Sequence, residues 1–91
     1  MIICSCILHV ELPHVQSLKG RRSVTNSIKE KLKAFNLSVL DLSGEYVREA
    51  DIAFVFLSQN SLQSVQYREK IEKMLERNFS EYHFELEYEE I

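Results

Sequence analysis

The chain has only two cysteines, two glycines and one proline, lacks tryptophan, and has no long uninterrupted apolar run. Without such a run we expect neither a signal peptide nor a membrane-spanning helix, and hence a soluble cytoplasmic protein. The scarcity of glycine argues against a glycine-rich loop that aims successive backbone N–H groups at one phosphate. No linker, repeat or low-complexity tract interrupts the 91 residues, so we predict one domain over residues 1–91.

The two cysteines, Cys4 and Cys6, lie two positions apart in an alternating segment. Side chains at this spacing lie on one face of a strand, roughly 6.6 Å apart and parallel, which disfavours a disulfide. We therefore expect both thiols to be reduced and buried. A Cys-x-Cys metal half-site is the alternative, but there is no second cysteine pair, and the nearest histidine, His9, lies on the other strand face.

Hydrophobic periodicity predicts six elements in the order strand, helix, strand, strand, helix, strand. Alternation of apolar residues predicts the strands, and apolar residues three or four apart predict the helices. The strands are expected at residues 2–12, 37–42, 52–57 and 82–88, and the helices at about 17–35 and 60–79. For so small a chain this order predicts a ferredoxin-like α+β sandwich, with a four-stranded antiparallel sheet and two helices on one face.

In that sandwich the first and third strands are central, and the sheet face away from the helices is open. The expected phase of the strands puts Ile3 and Ile7 on the open face, together with Ala53, Val55 or Leu57 of the third strand. We predict that Phe54 and Phe56 pack in the core, because the chain has few other large apolar residues. That placement argues against stacking of RNA bases on the sheet.

A basic turn is expected at the start of the first helix, where Ser17 is the predicted N-cap. The cations Lys19, Arg21 and Arg22 follow it within one turn or so. A helix start already offers unpaired N–H groups and a partial positive charge, so this combination predicts an anion-binding site. Helical spacing puts Arg21 on the apolar side, one turn before Val24. The alternative for that side chain is a structural role, in which it snorkels or pairs with a carboxylate.

The polar side of the same helix carries a basic stripe, formed by Arg22, Asn26, Lys29 and Lys33. Although the formal net charge is −3, residues 17–35 carry six cations against Glu30 alone, and the last eleven residues carry five glutamates and no Lys or Arg. Phosphate contact by such a stripe gives salt-dependent affinity for structured RNA or a ribosomal particle. A solvated helix face is the alternative.

Nearly the whole chain resembles the YlxP-like family, bacterial proteins of unknown function. The matching stretches are Ser17-Leu18-Lys19, Arg21-Arg22, Leu12-Pro13, Leu37-Ser38-Val39, Arg48-Glu49-Ala50 and Ser58. Gly20 stands where the family often has an acidic residue, Arg21 replaces the usual lysine, and the family's tryptophan near Tyr46 is missing. The resemblance implies a ferredoxin-like fold, a bacterial cytoplasmic location and a gene near translation and ribosome-maturation factors, but no established activity.

Three further functions are alternatives. Acylphosphatases share the expected topology, but the loop at residues 14–20 lacks the glycine-rich cradle that would bind a phosphate. Ser17 is better explained as a helix cap than as a nucleophile. We therefore predict a non-catalytic protein without cofactors. A metal site would combine His9 and Glu11 with His83 and Glu85, but solvated polar residues on a sheet face explain the same set more simply. Homodimerisation would cover the open sheet face at Ile3 and Ile7.

Overall fold

The computed structural model describes all 91 residues and confirms the predicted order of elements. The strands are β1 (Ile2–Glu11), β2 (Ser38–Asp41), β3 (Glu49–Ser58) and β4 (His83–Glu90). The helices are α1 (Leu18–Lys33) and α2 (Ser61–Asn78). Neither helix is long and apolar enough to cross a membrane.

The four strands form one antiparallel sheet in the order β2-β3-β1-β4, so β1 and β3 are central as predicted. The register places Cys6 of β1 opposite Phe54 of β3 and Tyr88 of β4. Side chains at paired positions lie on the same side of the sheet, so these three residues face the helix layer together. The fold is therefore the expected ferredoxin-like sandwich.

Two strands are longer than their sequences predict. β3 begins at Glu49 because Glu49, Ala50 and Asp51 pair with Glu11, Val10 and His9 of β1. At the other end of the sheet, Ile3 and Ile91 exchange backbone hydrogen bonds of 3.0 and 2.8 Å, and this ladder extends β4 to Glu90. Pairing with the long central strand outweighs the low strand propensity of the acidic residues.

The ends of the helices follow local chemistry. α1 ends at Lys33, before the predicted Phe35, and Asn36 has a φ of 58°, a left-handed conformation that asparagine tolerates at the end of a helix. Phe35 still packs against the core, and its carbonyl accepts a hydrogen bond from the Tyr67 hydroxyl. The side chain of Asn60 caps α2 by accepting the Gln63 N–H at 2.9 Å.

The core lies between the sheet and the helices, as the alternation of β1 predicts. Its floor consists of Cys4, Cys6, Leu8, Val10 and Leu12, all at most 1% exposed. Phe54 and Phe56 are also buried, and the ring of Phe56 stacks on Tyr67 with 4.5 Å between centroids. The core placement of both phenylalanines is confirmed, so neither is exposed for base stacking on the open face.

Candidate functional site

The start of α1 has the cap that the sequence predicts. Ser17 has extended backbone angles, and its Oγ accepts a hydrogen bond from the Gly20 N–H at 3.1 Å. The cap satisfies one of the first-turn N–H groups that lack a partner within the helix. One donor that an anion at this turn would use is therefore already engaged inside the protein.

Arg21 turns away from the predicted anion site and holds the connection between β2 and β3. Its Nη1 donates to the carbonyl oxygens of Gly44, Tyr46 and Glu49 at 2.8, 2.9 and 3.3 Å. The Tyr46 carbonyl also accepts the Glu49 N–H at 3.3 Å, so the guanidinium adds a side-chain donor to a connection with few backbone hydrogen bonds. The structural alternative for Arg21 is the one that the geometry supports, although the partners are carbonyls rather than a carboxylate.

A small polar cleft of about 280 Å³ separates the start of α1 from the end of β2. Arg22 and Thr25 line one side of it, and Asp41 lines the other. Burial alone would raise the pKa of Asp41, but hydrogen bonds from Ser43 and the charges of Lys29 and Arg21 outweigh it and lower that pKa. The ionised carboxylate of Asp41 opposes the binding of an anion inside this cleft.

The outer side of α1 keeps the basic stripe. Lys19, Arg22 and Lys33 are exposed, and Lys29 is half-buried near Asp41. The ion pairs of the protein are His9–Asp51, His9–Glu87 and Arg68–Glu90, and none of them involves a residue of α1. The four cations therefore have no carboxylate within salt-bridge distance, and they are spread along the helix rather than gathered at one point. We call this set, Lys19, Arg22, Lys29 and Lys33, the basic face of α1.

On the open sheet face, His9 bridges two carboxylates from neighbouring strands. Its Nδ1 lies 2.6 Å from Asp51 Oδ1, and its Nε2 lies 3.3 Å from Glu87 Oε2. Hydrogen bonds to Asp51 and Glu87 raise the pKa of His9. The register brings the four residues of the predicted metal set to neighbouring positions, with Glu11 opposite His83 and His9 opposite Glu85. Even so, no group of three or more His, Cys, Asp or Glu side chains is arranged to hold a metal ion.

An apolar patch lies elsewhere on the open sheet face, among polar residues. Ile3, Val55 and Leu57 are 37%, 36% and 60% exposed, and Ile7 and Ala53 are half-buried beside them. The register aligns Ile3 with Leu57 and Ile7 with Ala53, which makes these side chains contiguous across β1 and β3. Leu40 of β2 lies opposite Ala53 and is 62% exposed, a member of this patch that the sequence reasoning missed. The predicted phase of β1 is confirmed.

A buried arginine that sequence reasoning also missed lies between α2 and β4. Arg68 is 7% exposed, and its Nη1 donates to Ser64 Oγ at 3.0 Å and to Glu90 Oε1 at 3.2 Å. Its guanidinium carbon lies 3.6 Å from the ring centroid of Tyr88, a cation–π contact. Burial lowers the pKa of Arg68, but hydrogen bonds to Cys4 and Glu90 outweigh it and leave the pKa raised. Arg68 therefore holds the last strand against α2.

The two cysteines are free and buried, as predicted. Their sulfur atoms are 3.7 Å apart, much closer than the strand repeat suggested, because the side chains lean toward each other. Burial and the neighbouring Cys4 raise the pKa of Cys6 to about 12, so that thiol is protonated at neutral pH. The pair acts as part of the core floor beneath Arg68.

Two solved structures are similar to this ferredoxin-like fold. A de novo designed protein, Foldit4, superposes with a TM-score of 0.60 at 13% identity, over 98% of this chain and 97% of that chain. A dimeric ferredoxin-like protein from an uncultured marine organism superposes with a TM-score of 0.50 at 14% identity, over 98% of this chain and 92% of that chain. At these identities the similarity establishes the fold and nothing further.

Sequence comparison assigns the chain to a family. Residues 3–88 match the model described as Protein of unknown function (DUF503), so the chain belongs to that family. The membership is compatible with the YlxP-like resemblance, which stays a prediction. No curated protein matches the chain in sequence.

Proposed function

We propose that the protein is a non-catalytic, cytoplasmic binding protein that holds structured RNA or a ribosomal particle against the basic face of α1. The observation that carries this proposal is that Lys19, Arg22, Lys29 and Lys33 share one side of the helix without a salt-bridge partner. Unpaired Lys and Arg side chains neutralise phosphates and release counterions, which is the main source of nonspecific affinity for nucleic acids.

The spread of the cations favours a polyanion over a single phosphate. From Lys19 to Lys33 the helix rises about 21 Å, which is longer than any one phosphate but matches several phosphates along an RNA backbone. Arg21 is not part of the proposed surface, because its guanidinium serves the β2–β3 connection. The Ser17 hydroxyl caps α1, which favours a binding role over nucleophilic catalysis at this turn.

The test compares two triple variants with the same loss of charge. Arg22→Gln, Lys29→Gln and Lys33→Gln neutralise the basic face, whereas Lys70→Gln, Lys73→Gln and Arg77→Gln neutralise exposed cations of α2. Binding to purified ribosomal RNA and to small ribosomal subunits is measured over a series of salt concentrations. We expect the α1 triple variant to lose about three from the slope of log K against log salt, and the α2 triple variant to keep the wild-type slope.

Circular dichroism melting of each variant provides the control, because the neutralised side chains are on the surface and the midpoints should stay close to that of the wild type. If both triple variants lose the same affinity, binding depends on the net charge of the protein and not on the position of the cations, which would contradict a site on α1. Unchanged affinity in the α1 variant would refute RNA binding through this helix.

Self-association through the open sheet face is a second candidate function. The exposed side chains of Ile3, Leu40, Val55 and Leu57 support it, since contiguous exposed apolar side chains often mark an interaction surface. The ferredoxin-like protein of similar fold from an uncultured marine organism is dimeric. The sheet face and the basic face of α1 lie on opposite sides of the sandwich, so a dimer leaves the proposed RNA surface free.

Val55→Lys tests the second candidate by placing a charge at the centre of the patch. We expect the wild type to sediment as a dimer and the variant as a folded monomer, because a buried unpaired lysine opposes association. Leu62→Lys, at an exposed position of α2, is the matched control and should stay dimeric. A wild-type protein that sediments as a monomer at high micromolar concentration would refute this candidate.

A further inference from the structure

The helix layer leaves part of the sheet uncovered on its inner side. The backbone of α2 packs over β1 and β3 but does not approach β4. Phe84 and Leu86 of β4 face the helices, yet both are only half-buried. A crevice of about 420 Å³ consequently opens between the second half of α2 and β4.

The floor of the crevice is apolar. Leu8 lies at its base and is fully buried, and Phe79 closes one side. The rings of Phe79 and Phe84 meet edge to face with 6.4 Å between centroids, and Tyr82 contributes a third aromatic ring to the wall. Such a surface contacts an apolar group over a large area at little entropic cost, since these side chains are already held by packing.

The rim of the crevice is acidic. Glu72 and Glu76 both line it from one side of α2, and the remaining polar lining comes from Ser80, Tyr82 and His83. Neither glutamate forms an ion pair, and no Lys or Arg lines the crevice. Like charges four residues apart on a helix repel each other, so these two carboxylates gain from a cation placed between them.

From this combination we propose that the crevice binds a small organic cation, an ammonium group carried on an aromatic or branched apolar body. The apolar body packs on Phe79, Phe84 and Leu86, and the ammonium group lies at the rim between Glu72 and Glu76. The volume lies within the range of pockets that hold small ligands. The carboxylates exclude anionic ligands of the same size, and a neutral ligand leaves their repulsion in place. This site does not involve α1 and is independent of RNA binding.

Three probes of similar size and different charge test the proposal. Phenethylamine hydrochloride, 2-phenylethanol and phenylacetate are titrated into the full chain at equal ionic strength, while the backbone amide resonances of residues 72–86 are followed. We expect saturable shifts with phenethylamine, an affinity about fivefold weaker for the alcohol, and no saturable binding of phenylacetate. Equal affinity for all three probes, or no saturable shift with phenethylamine at 20 mM or so, would overturn the proposal.

Two double variants separate the rim from overall charge. In the double variant Glu72→Gln with Glu76→Gln, we expect phenethylamine and 2-phenylethanol to bind with about equal affinity. Glu45→Gln with Glu69→Gln removes the same charge at exposed positions outside the crevice and should keep the wild-type preference. A preference that survives the first double variant, or that both double variants abolish, would contradict the assigned rim. Because the glutamines remain polar and exposed, both proteins should keep the wild-type melting midpoint.

Discussion

Two arginines, Arg68 in α2 and Arg21 in α1, show how the same side chain is used on the two halves of the helix layer. Arg68 is buried and binds other side chains, those of Ser64, Glu90 and Tyr88. Arg21 is half-buried and binds three backbone carbonyls of one loop. The first fixes a strand to a helix, whereas the second fixes an irregular connection that has no ladder of its own.

The difference explains which cations remain for binding. A guanidinium that loses its water must recover the hydration energy through hydrogen bonds and a nearby carboxylate, so Arg68 is committed to its partners. The guanidinium of Arg21 stays partly hydrated and only donates hydrogen bonds to carbonyl oxygens of the connection. No residue of the basic face of α1 forms a salt bridge, and only Lys29 among the four is half-buried. We therefore expect changes there to alter binding rather than stability.

The largest predicted effect is at Arg68. Arg68→Ala removes the cation–π contact and the hydrogen bonds to Ser64 and Glu90, and it leaves a cavity between α2 and β4. We expect the free energy of unfolding to fall by about 2–4 kcal/mol, measured by urea denaturation. Arg68→Met keeps most of the volume without a charge that must be desolvated, so it should cost less than the alanine variant. A loss below about 1 kcal/mol in Arg68→Ala would show that the buried network is not a significant anchor.

A smaller effect is expected at Arg21, with its neighbour as the control. Arg21→Gln removes the shared donor of Gly44, Tyr46 and Glu49, whose carbonyls then turn to water. We expect a loss of about 1 kcal/mol in unfolding free energy and faster hydrogen exchange in residues 43–49. Arg22→Gln should stay within about 0.5 kcal/mol of the wild type and should instead lower RNA affinity. The reverse pattern would assign the loop to Arg22 and the anion surface to Arg21.

For α1, the orientation of Arg21 can be predicted from the sequence. The spacing of Arg21 one turn before Val24 predicts that it lies toward the apolar side of the helix, and the structure confirms that it is not on the outer face. Its three carbonyl partners are not predictable, because they depend on how residues 42–48 bend between two strands. Loop geometry of this kind has no sequence period from which it could be inferred.

On the α2 side the sequence does contain a pattern that indicates burial of Arg68, but the pattern is easily misread. Ser64, Arg68, Ile71 and Leu75 recur at four, three and four, which is the spacing of the buried face, and all four are buried. A charged residue is rarely buried without a partner, so the spacing alone is weak evidence that Arg68 is buried. Its partner Glu90 lies in a part of β4 whose length depends on pairing with Ile3 across the sheet. Long-range register of this kind supplies the information that local pattern lacks.

His9 offers a third case between the two arginines, and the smallest predicted effect. It has two carboxylate partners, as a buried cation would require, but its side chain and that of Asp51 are each 38% exposed and that of Glu87 is 65% exposed. Water and salt screen ion pairs at such positions. The pairing should therefore be visible in the titration of His9 more clearly than in the stability of the fold.

Because hydrogen bonds to Asp51 and Glu87 raise the pKa of His9 in the folded state, its contribution to stability is fully present below the unfolded pKa of about 6.5. It is lost as the pH rises through the folded pKa. We expect the urea midpoint of the wild type to decrease over this window relative to that of His9→Gln, and the imidazole resonances of His9 to titrate above pH 6.5 or so. Asp51→Asn should move that titration downward by removing the first partner. A His9 titration at or below the ordinary value would mean that the bridge across β3, β1 and β4 does not persist in solution.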